Sequence, residues 1–370
     1  MSSQLEDFDL ALLLSNLSSN DNDIRIKAEI FYEKMKVTNS LDLVTQLLNY
    51  MMISNASQMT RTMAVVLSRS LLLGNEQQQS VYFQIKDDNN KKNLLDLLLY
   101  LLENEKENHI RLRFADIIGE MSVSILDNAV NDWPDILPYT KQCITSKTFN
   151  DKEIGLKLIS LIAPSYINVF LEPSVFIPLM EVLCSALNLN LTIENDNNNN
   201  DNDNENTKNN FKIMIASLRA IVNVISNVTR PSIKDQFLPM MSPCMTGLQY
   251  IVHSIIITSQ KNNDIDNGID NGIDNDIENV AILYIDALIE LLEDNSFLFD
   301  ANLLSIFNII FDLMEELQKK TSYSSLSQQL MEFLVILCEI CPKQCRKLKN
   351  GSGQKGYFGT KMLPLCTQFM

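Results

Sequence analysis

Three times in its first 130 residues the chain leaves a polar turn, passes an Arg and, three residues later, reaches an apolar residue that opens a helix. The passages are Asp23-Ile24-Arg25-Ile26-Lys27-Ala28, Met59-Thr60-Arg61-Thr62-Met63-Ala64 and His109-Ile110-Arg111-Leu112-Arg113-Phe114-Ala115. Arg25, Arg61 and Arg111 stand 36 and 50 residues apart. That spacing belongs to stacked helix pairs, each burying its apolar face only against its neighbours. Length then counts repeats, and 370 residues accommodate about seven pairs and part of another. The fold class this predicts is an all-α helical-repeat solenoid of the HEAT type.

Composition agrees. A hydrophobic content of 46% supplies a core, whereas 10 Gly and 10 Pro are too few for an all-β chain with a turn every ten residues or so. The net charge of −16 and a pI near 4.6 argue against DNA or RNA as a direct partner and suit basic protein segments. The stretch Met1–Asp9 carries three acids and no base, so no secretory leader is expected. The longest apolar run, Leu94–Leu102, is interrupted by Asp96, and no membrane insertion is expected. Seven scattered cysteines, an odd number, read as reduced thiols of a cytosolic or nuclear protein.

Periodicity places the pairs. In Leu5–Leu17, Leu10, Leu13, Leu14 and Leu17 make one apolar face, and Ala28, Phe31, Tyr32 and Met35 answer it from Ile24–Lys36. Leu41–Ile53 pairs with Ser57–Leu73, which Gly74 ends. A polar insertion, 75–90, precedes Lys91–Leu102 and Asn108–Leu126. The fourth repeat opens at Trp133-Pro134, where a proline suits a first helical turn, and runs to about Ile144 before Lys152–Ile162. The fifth pairs a helix from Glu172, bent at Pro178, with Phe211–Val228. The sixth pairs Lys234–Thr258 with Val280–Glu293, and the seventh Leu303–Lys319 with Leu326–Cys345. A last helix is expected near Thr360.

Two tracts, 195–210 with ten Asn in sixteen residues and 261–279 with its Ile-Asp-Asn-Gly copies, read as disordered insertions within repeats. They lie between the two helices of a pair and so mark no domain boundary.

Chemistry has little support. Cys338, Cys341 and Cys345 have metal-like spacing but no second ligand pair, and one helical face would bury them as small hydrophobes. The Asp-Asn-Gly copies recur every four residues, unlike an EF-hand loop. His109 and His253 neighbour no nucleophile pattern, and no P-loop or dinucleotide fingerprint occurs. No catalytic residue, metal or cofactor is therefore expected. Arg25, Arg61 and Arg111 are expected to bond turn carbonyls or neighbouring acids as a structural ladder. Trp133 is expected to cover the seam between repeats three and four.

Four stretches resemble the importin-β (karyopherin-β) nuclear transport receptors, most closely the importin β-3 (Ran-binding protein 5) branch. They are Leu12–Leu17 with Asp21–Glu29 and Tyr32-Glu33; Thr60–Leu72; Arg111 through Asp116–Glu120 to Asp127 with Asn131–Leu137; and, more loosely, Phe237-Leu238-Pro239. Trp133-Pro134 with the acid and aliphatic that follow is the most specific of these. The resemblance is strongest to about residue 165. It divides the chain into 1–165, repeats one to four forming a Ran-binding arch, and 166–370, repeats five to seven and the start of an eighth.

The resemblance implies a superhelix of HEAT repeats with first helices on the convex face and second helices on the concave one. It implies binding of Ran in its GTP form at the amino-terminal arch, and cargo proteins with basic localisation segments further along. Phenylalanine-glycine nucleoporins would dock between convex helices, and the protein would shuttle between cytoplasm and nucleus. It carries Arg69, Asp116 and Glu120 as contacts to Ran or cargo. Family members run much longer, which leaves open whether the chain is a whole gene product or a truncated form of such a receptor. A scaffold of HEAT repeats that binds protein partners without transport is the alternative.

Overall fold

Capping explains where the helices start. In this computed structural model, which describes residues 9–53, 56–74, 79–128, 133–188, 202–263, 272–300, 302–318 and 324–347, α1 (Leu10–Leu17) begins after Asp9, whose carboxylate accepts from Leu12 N at 3.1 Å. α2 (Asn22–Thr38) begins after Asp21, which accepts from Asp23 N at 2.8 Å. These side chains satisfy amides that a helix leaves unpaired at its start. Leu10, Leu13, Leu14 and Leu17 are all buried, as are Ala28, Tyr32 and Met35. Phe31, expected in that set, is 38% exposed: it lies one position off the stripe that faces α1.

Contacts divide the chain into two compact units, Met1–Gln142 and Cys143–Met370. The 165/166 limit above follows where the resemblance thins, which is a different property. The first unit continues with α3 (Ser40–Tyr50), α4 (Gln58–Leu73), α5 (Val81–Gln84), α6 (Asp88–Asn104) and α7 (Asn108–Asn128), and α8 (Ile136–Thr145) starts in it. α1 packs on α2, α3 on α4 and α6 on α7, and the second helices α4 and α7 pack on each other. The segment read as a polar insertion contains α5, in which Val81 and Tyr82 are buried, as is Ile85 just after it. Four apolar residues, Val81, Tyr82, Phe83 and Ile85, among polar ones are too few to show a period.

The second unit comprises α9 (Phe149–Phe170), α10 (Pro173–Leu187), α11 (Asn202–Ser226), α12 (Pro231–Lys234), a 3-10 turn (Asp235–Met240), α13 (Met241–Asn263), α14 (Gly272–Asp294), α15 (Phe297–Asp300), α16 (Leu303–Gln318), α17 (Ser324–Ile340) and α18 (Pro342–Lys347). α9, α11, α14 and α17 pack in succession as second helices, and α10, α13 and α16 form the other layer. The architecture is thus the all-α helical-repeat solenoid, and among the described residues the regular structure is helical.

Several edges differ from the periodic reading. Helix α8 starts at Ile136, so Trp133-Pro134 forms a turn ahead of it. Pro239 sits in the 3-10 turn, whose shorter-range bonding delays α13 to Met241. Pro342 ends α17, because a proline fits the first turn of a new helix better than the interior of an old one. α11 reaches back to Asn202 into the Asn-rich tract, and α13 and α14 extend to Asn263 and from Gly272 into the second. Extending a helix already anchored by buried Phe211 and Met214 costs far less than nucleating one. The rest of those tracts, and the helix expected near Thr360, lie outside the described residues.

α9 is, by length and composition, apolar enough to cross a membrane, with a mean hydropathy of 1.2 over its best stretch. It holds no long uninterrupted apolar run, since Gly155, Lys157, Ser160 and Pro164 break it. Half of that stretch is buried within the protein, and α9 packs along α11.

Candidate functional site: the groove between α4 and α7

α4 is fixed at both ends. Ser57 accepts from Thr60 N at 3.2 Å, and Gly74 closes the helix at φ 71°, a conformation that favours glycine. Ala64, Val65, Ser68, Leu71 and Leu72 are buried on one side of the helix. Met59, Val66 and Arg69, seven and then three residues apart, are exposed on another. On α7, Arg113, Asp116 and Glu120 share a face for the same helical reason.

The two faces border a groove of about 760 Å³ lined by Val66, Arg69, Ser70, Arg113, Asp116 and Glu120 among others. Arg69 Nη2 donates to both carboxylate oxygens of Glu120, at 2.7 and 2.8 Å. With side chains 54% and 39% exposed, the pair lies in screened surroundings, where such contacts are worth about 0–1 kcal/mol. Two arginines and two acids make the groove locally balanced in charge, in a chain that is acidic overall.

Val66 also borders a second hollow of about 440 Å³, with Met59, Thr62, Met63 and His109. His109 Nε2 lies 3.3 Å from Gln58 Nε2 and 3.5 Å from Thr62 Oγ1. The exposed face of α4 is therefore apolar at one end and charged at the other. The spacing of Met59, Val66 and Arg69 opposite the buried stripe carried that signal in the sequence.

The recurrent arginines take three different partners. Arg25 Nη1 donates to Ser19 O at 3.2 Å, Nη2 to Asn22 Oδ1, and Nε lies 3.8 Å from Glu29. Arg61 Nη2 donates to Glu105 Oε2, with side chains only 18% and 3% exposed. Arg61 Nε is buried without an acceptor. Arg111, 7% exposed, donates from Nε to Leu102 O at 3.0 Å. Trp133 is buried and its Nε1–H has no acceptor, while Pro134 is exposed.

Cys338 lies in α17, Cys341 at the break before Pro342 and Cys345 in α18, rather than all three sharing one helix. Cys341 and Cys345 are buried and Cys338 half-buried. Burial pushes the Cys341 thiol up to about 11, and a hydrogen bond with the Cys338 thiol holds Cys345 below its ordinary value. Among the described residues, no three His, Cys, Asp or Glu side chains are grouped to hold a metal ion.

Residues 106–172 match a family model described as IPO5-like, TPR repeats. Among solved structures, the chain is similar to Kap121p bound to RanGTP, with a TM-score of 0.63 and 17% identity over 92% of this chain and 27% of that one. Kap121p bound to Nup53p gives a TM-score of 0.62 at 17% identity, with the same shares covered. The karyopherin Kap121p bound to the SUMO protease Ulp1p gives 0.61 at 16%, again with the same shares. The shared property at this identity is the fold, that of the karyopherin solenoids. The chain spans about a quarter of the length of these structures.

Proposed function

We propose that the chain is the Ran-facing portion of a nuclear transport receptor of the importin-β type, nearest the importin β-3 branch. The observation that carries the reading is the fit of 92% of the chain to the fold of Kap121p, a protein solved with RanGTP bound. The match of residues 106–172, which include Asp116 and Glu120, to the IPO5-like model supports it. Ran in its GTP form would meet the exposed faces of α4 and α7 through Arg69, Asp116 and Glu120. Cargo proteins with basic segments and phenylalanine-glycine nucleoporins would be the other partners, and the protein would shuttle between cytoplasm and nucleus. A carrier needs Ran-GTP and cargo each to weaken the other's binding, a coupling typically of 1–3 kcal/mol.

The Arg69–Glu120 pair fits this role because its cost of opening is small. A partner that offers Arg69 an acid replaces one screened contact with another that is desolvated in the interface, where such pairs gain strength. The same pair also favours the alternative, a HEAT scaffold in which Arg69 only joins two repeats.

Retention on immobilised Ran separates the two. The chain is expected to bind Ran loaded with a non-hydrolysable GTP analogue and to pass over Ran loaded with GDP. Equal or absent retention on both sinks the transport reading.

A further inference from the structure

In the second unit, the chain after α11 and the chain after α14 border a cavity of about 530 Å³. Lys234 and Asn295 both line it. Lys234 Nζ donates to Asn295 Oδ1 at 2.5 Å. An ammonium can only donate, so this contact fixes which end of the amide is oxygen and leaves Nδ2 on the other side. Asn295 is 1% exposed, and its Nδ2 has no acceptor. An Asn at a helix start commonly accepts a backbone amide with its side chain. Here the backbone does that work, Leu298 N donating to Asn295 O at 3.1 Å, and the side chain is held for something else.

Lys234 is half-buried and, among the described residues, has no carboxylate within ion-pair distance. Beside one cavity, Asn295 Nδ2 is thus a buried donor without an acceptor, and half-buried Lys234 has N–H groups to spare. Buried donors of this kind are rare in native proteins and are met by a ligand or ordered water. The acids near the cavity do not serve: Asp294 Oδ2 accepts from Ser226 Oγ at 2.9 Å, and Asp294 and Asp235 are exposed to solvent.

We propose that this cavity is a binding site for a carboxylate, whose oxygens accept from Asn295 Nδ2 and Lys234 Nζ. A single negative charge compensates Lys234, whereas a phosphate dianion would meet repulsion from Asp235 and Asp294 at the rim. The carboxylate can belong to a small free acid or to an acidic peptide. The site is independent of the α4–α7 groove and needs neither Ran nor cargo, so its failure and that of the transport reading are separate results.

The test is thermal unfolding of the intact 370-residue chain in sodium acetate or sodium chloride at constant ionic strength. Acetate is expected to raise Tm along a saturating curve, and chloride is not, because only a ligand of the folded state gives such a shift. Asn295→Asp replaces the donor with a carboxylate facing Lys234, so the variant supplies its own acceptor and should lose the acetate response. Lys234→Gln should lose it too and reads the site should Asn295→Asp not fold. Capped Gly-Asp-Gly tripeptide acting at concentrations at least roughly tenfold below acetate identifies a peptide as the ligand, with capped Gly-Asn-Gly inert; acetate acting equally well identifies a small acid. An acetate response equal to that of chloride, or unchanged in both variants, overturns the proposal and leaves water as the acceptor.

Discussion

Arg69 and Glu120, 51 residues apart in the chain, meet through two hydrogen bonds from one guanidinium nitrogen to both oxygens of one carboxylate. The contact joins the second helices of two successive repeats, and both residues lie on the face proposed to meet a partner. Exposure keeps it weak, so its removal distinguishes binding from stability. Arg69→Glu should shift stability by no more than about 1 kcal/mol in urea unfolding. It should also lower retention on GTP-form Ran by roughly tenfold, about 1.4 kcal/mol. Glu120→Gln, which opens the same exposed pair without reversing a charge, should likewise leave stability within about 1 kcal/mol. A large drop in stability for Arg69→Glu would make the residue a structural joint.

Arg61 and Glu105 form the opposite case. Glu105 is 3% exposed and Arg61 18%, so removing one partner leaves a charge out of reach of water. Arg61→Ala should destabilise the protein by about 3 kcal/mol, read from the shift of the urea midpoint at constant m-value. A change below about 1 kcal/mol would show that the pair is hydrated in solution.

These two pairs also mark what was legible in the sequence. Capping side chains, apolar periods and prolines are local, so α2 to α4 are placed from the turn at 18–23, from Ser57 and from Gly74 within a few residues. An amphipathic reading from Leu5, by contrast, overruns Asp9, the residue that caps α1. Arg61 and Arg69 were picked out as a ladder residue and a contact residue, yet neither partner could be named. Glu105 and Glu120 come from the next repeat, and which residues meet depends on how the two helix pairs are offset. Phe31 reads as core by its spacing from Ala28 and Met35 but sits at the exposed edge of the buried stripe. Lys234 and Asn295, 61 residues apart on two connecting segments, have no periodicity to announce them. The break at Cys341-Pro342 was written in the proline and was overridden by the cysteine spacing.

Gly155 shows the same non-local logic in packing. It lies in α9, and a Cβ built there would stand 2.5 Å from Ile144 Cγ2 and 2.7 Å from Ile144 N. The side chain of Ile144 can rotate, but its backbone nitrogen cannot move without shifting the end of α8. Gly155→Ala would gain helix propensity, worth about 1 kcal/mol, against an overpacking cost of typically 1–3 kcal/mol. Because backbone is involved, the loss should win, and Tm should fall. An unchanged or raised Tm would mean that α8 and α9 have room to separate.

Tyr284 and Cys244 set the response to alkali. Tyr284 is completely buried and donates to Cys244 O at 2.8 Å. Burial raises the Tyr284 phenol well above its ordinary 10.0 and the Cys244 thiol above its ordinary 9.0. Both groups are neutral when protonated, so the folded state keeps protons that the unfolded chain releases. Stability from this source is full below pH 9 and declines as pH rises through 9 and 10, since the unfolded state then binds fewer protons than the native one. Tyr284→Phe should lower stability at pH 7 by about 1 kcal/mol, the worth of one buried hydrogen bond. It should also flatten the decline above pH 10, and Cys244→Ala should flatten it from pH 9. Urea unfolding between pH 7 and 11 reads both slopes, and wild-type slopes retained in both variants would place the alkaline loss at other groups.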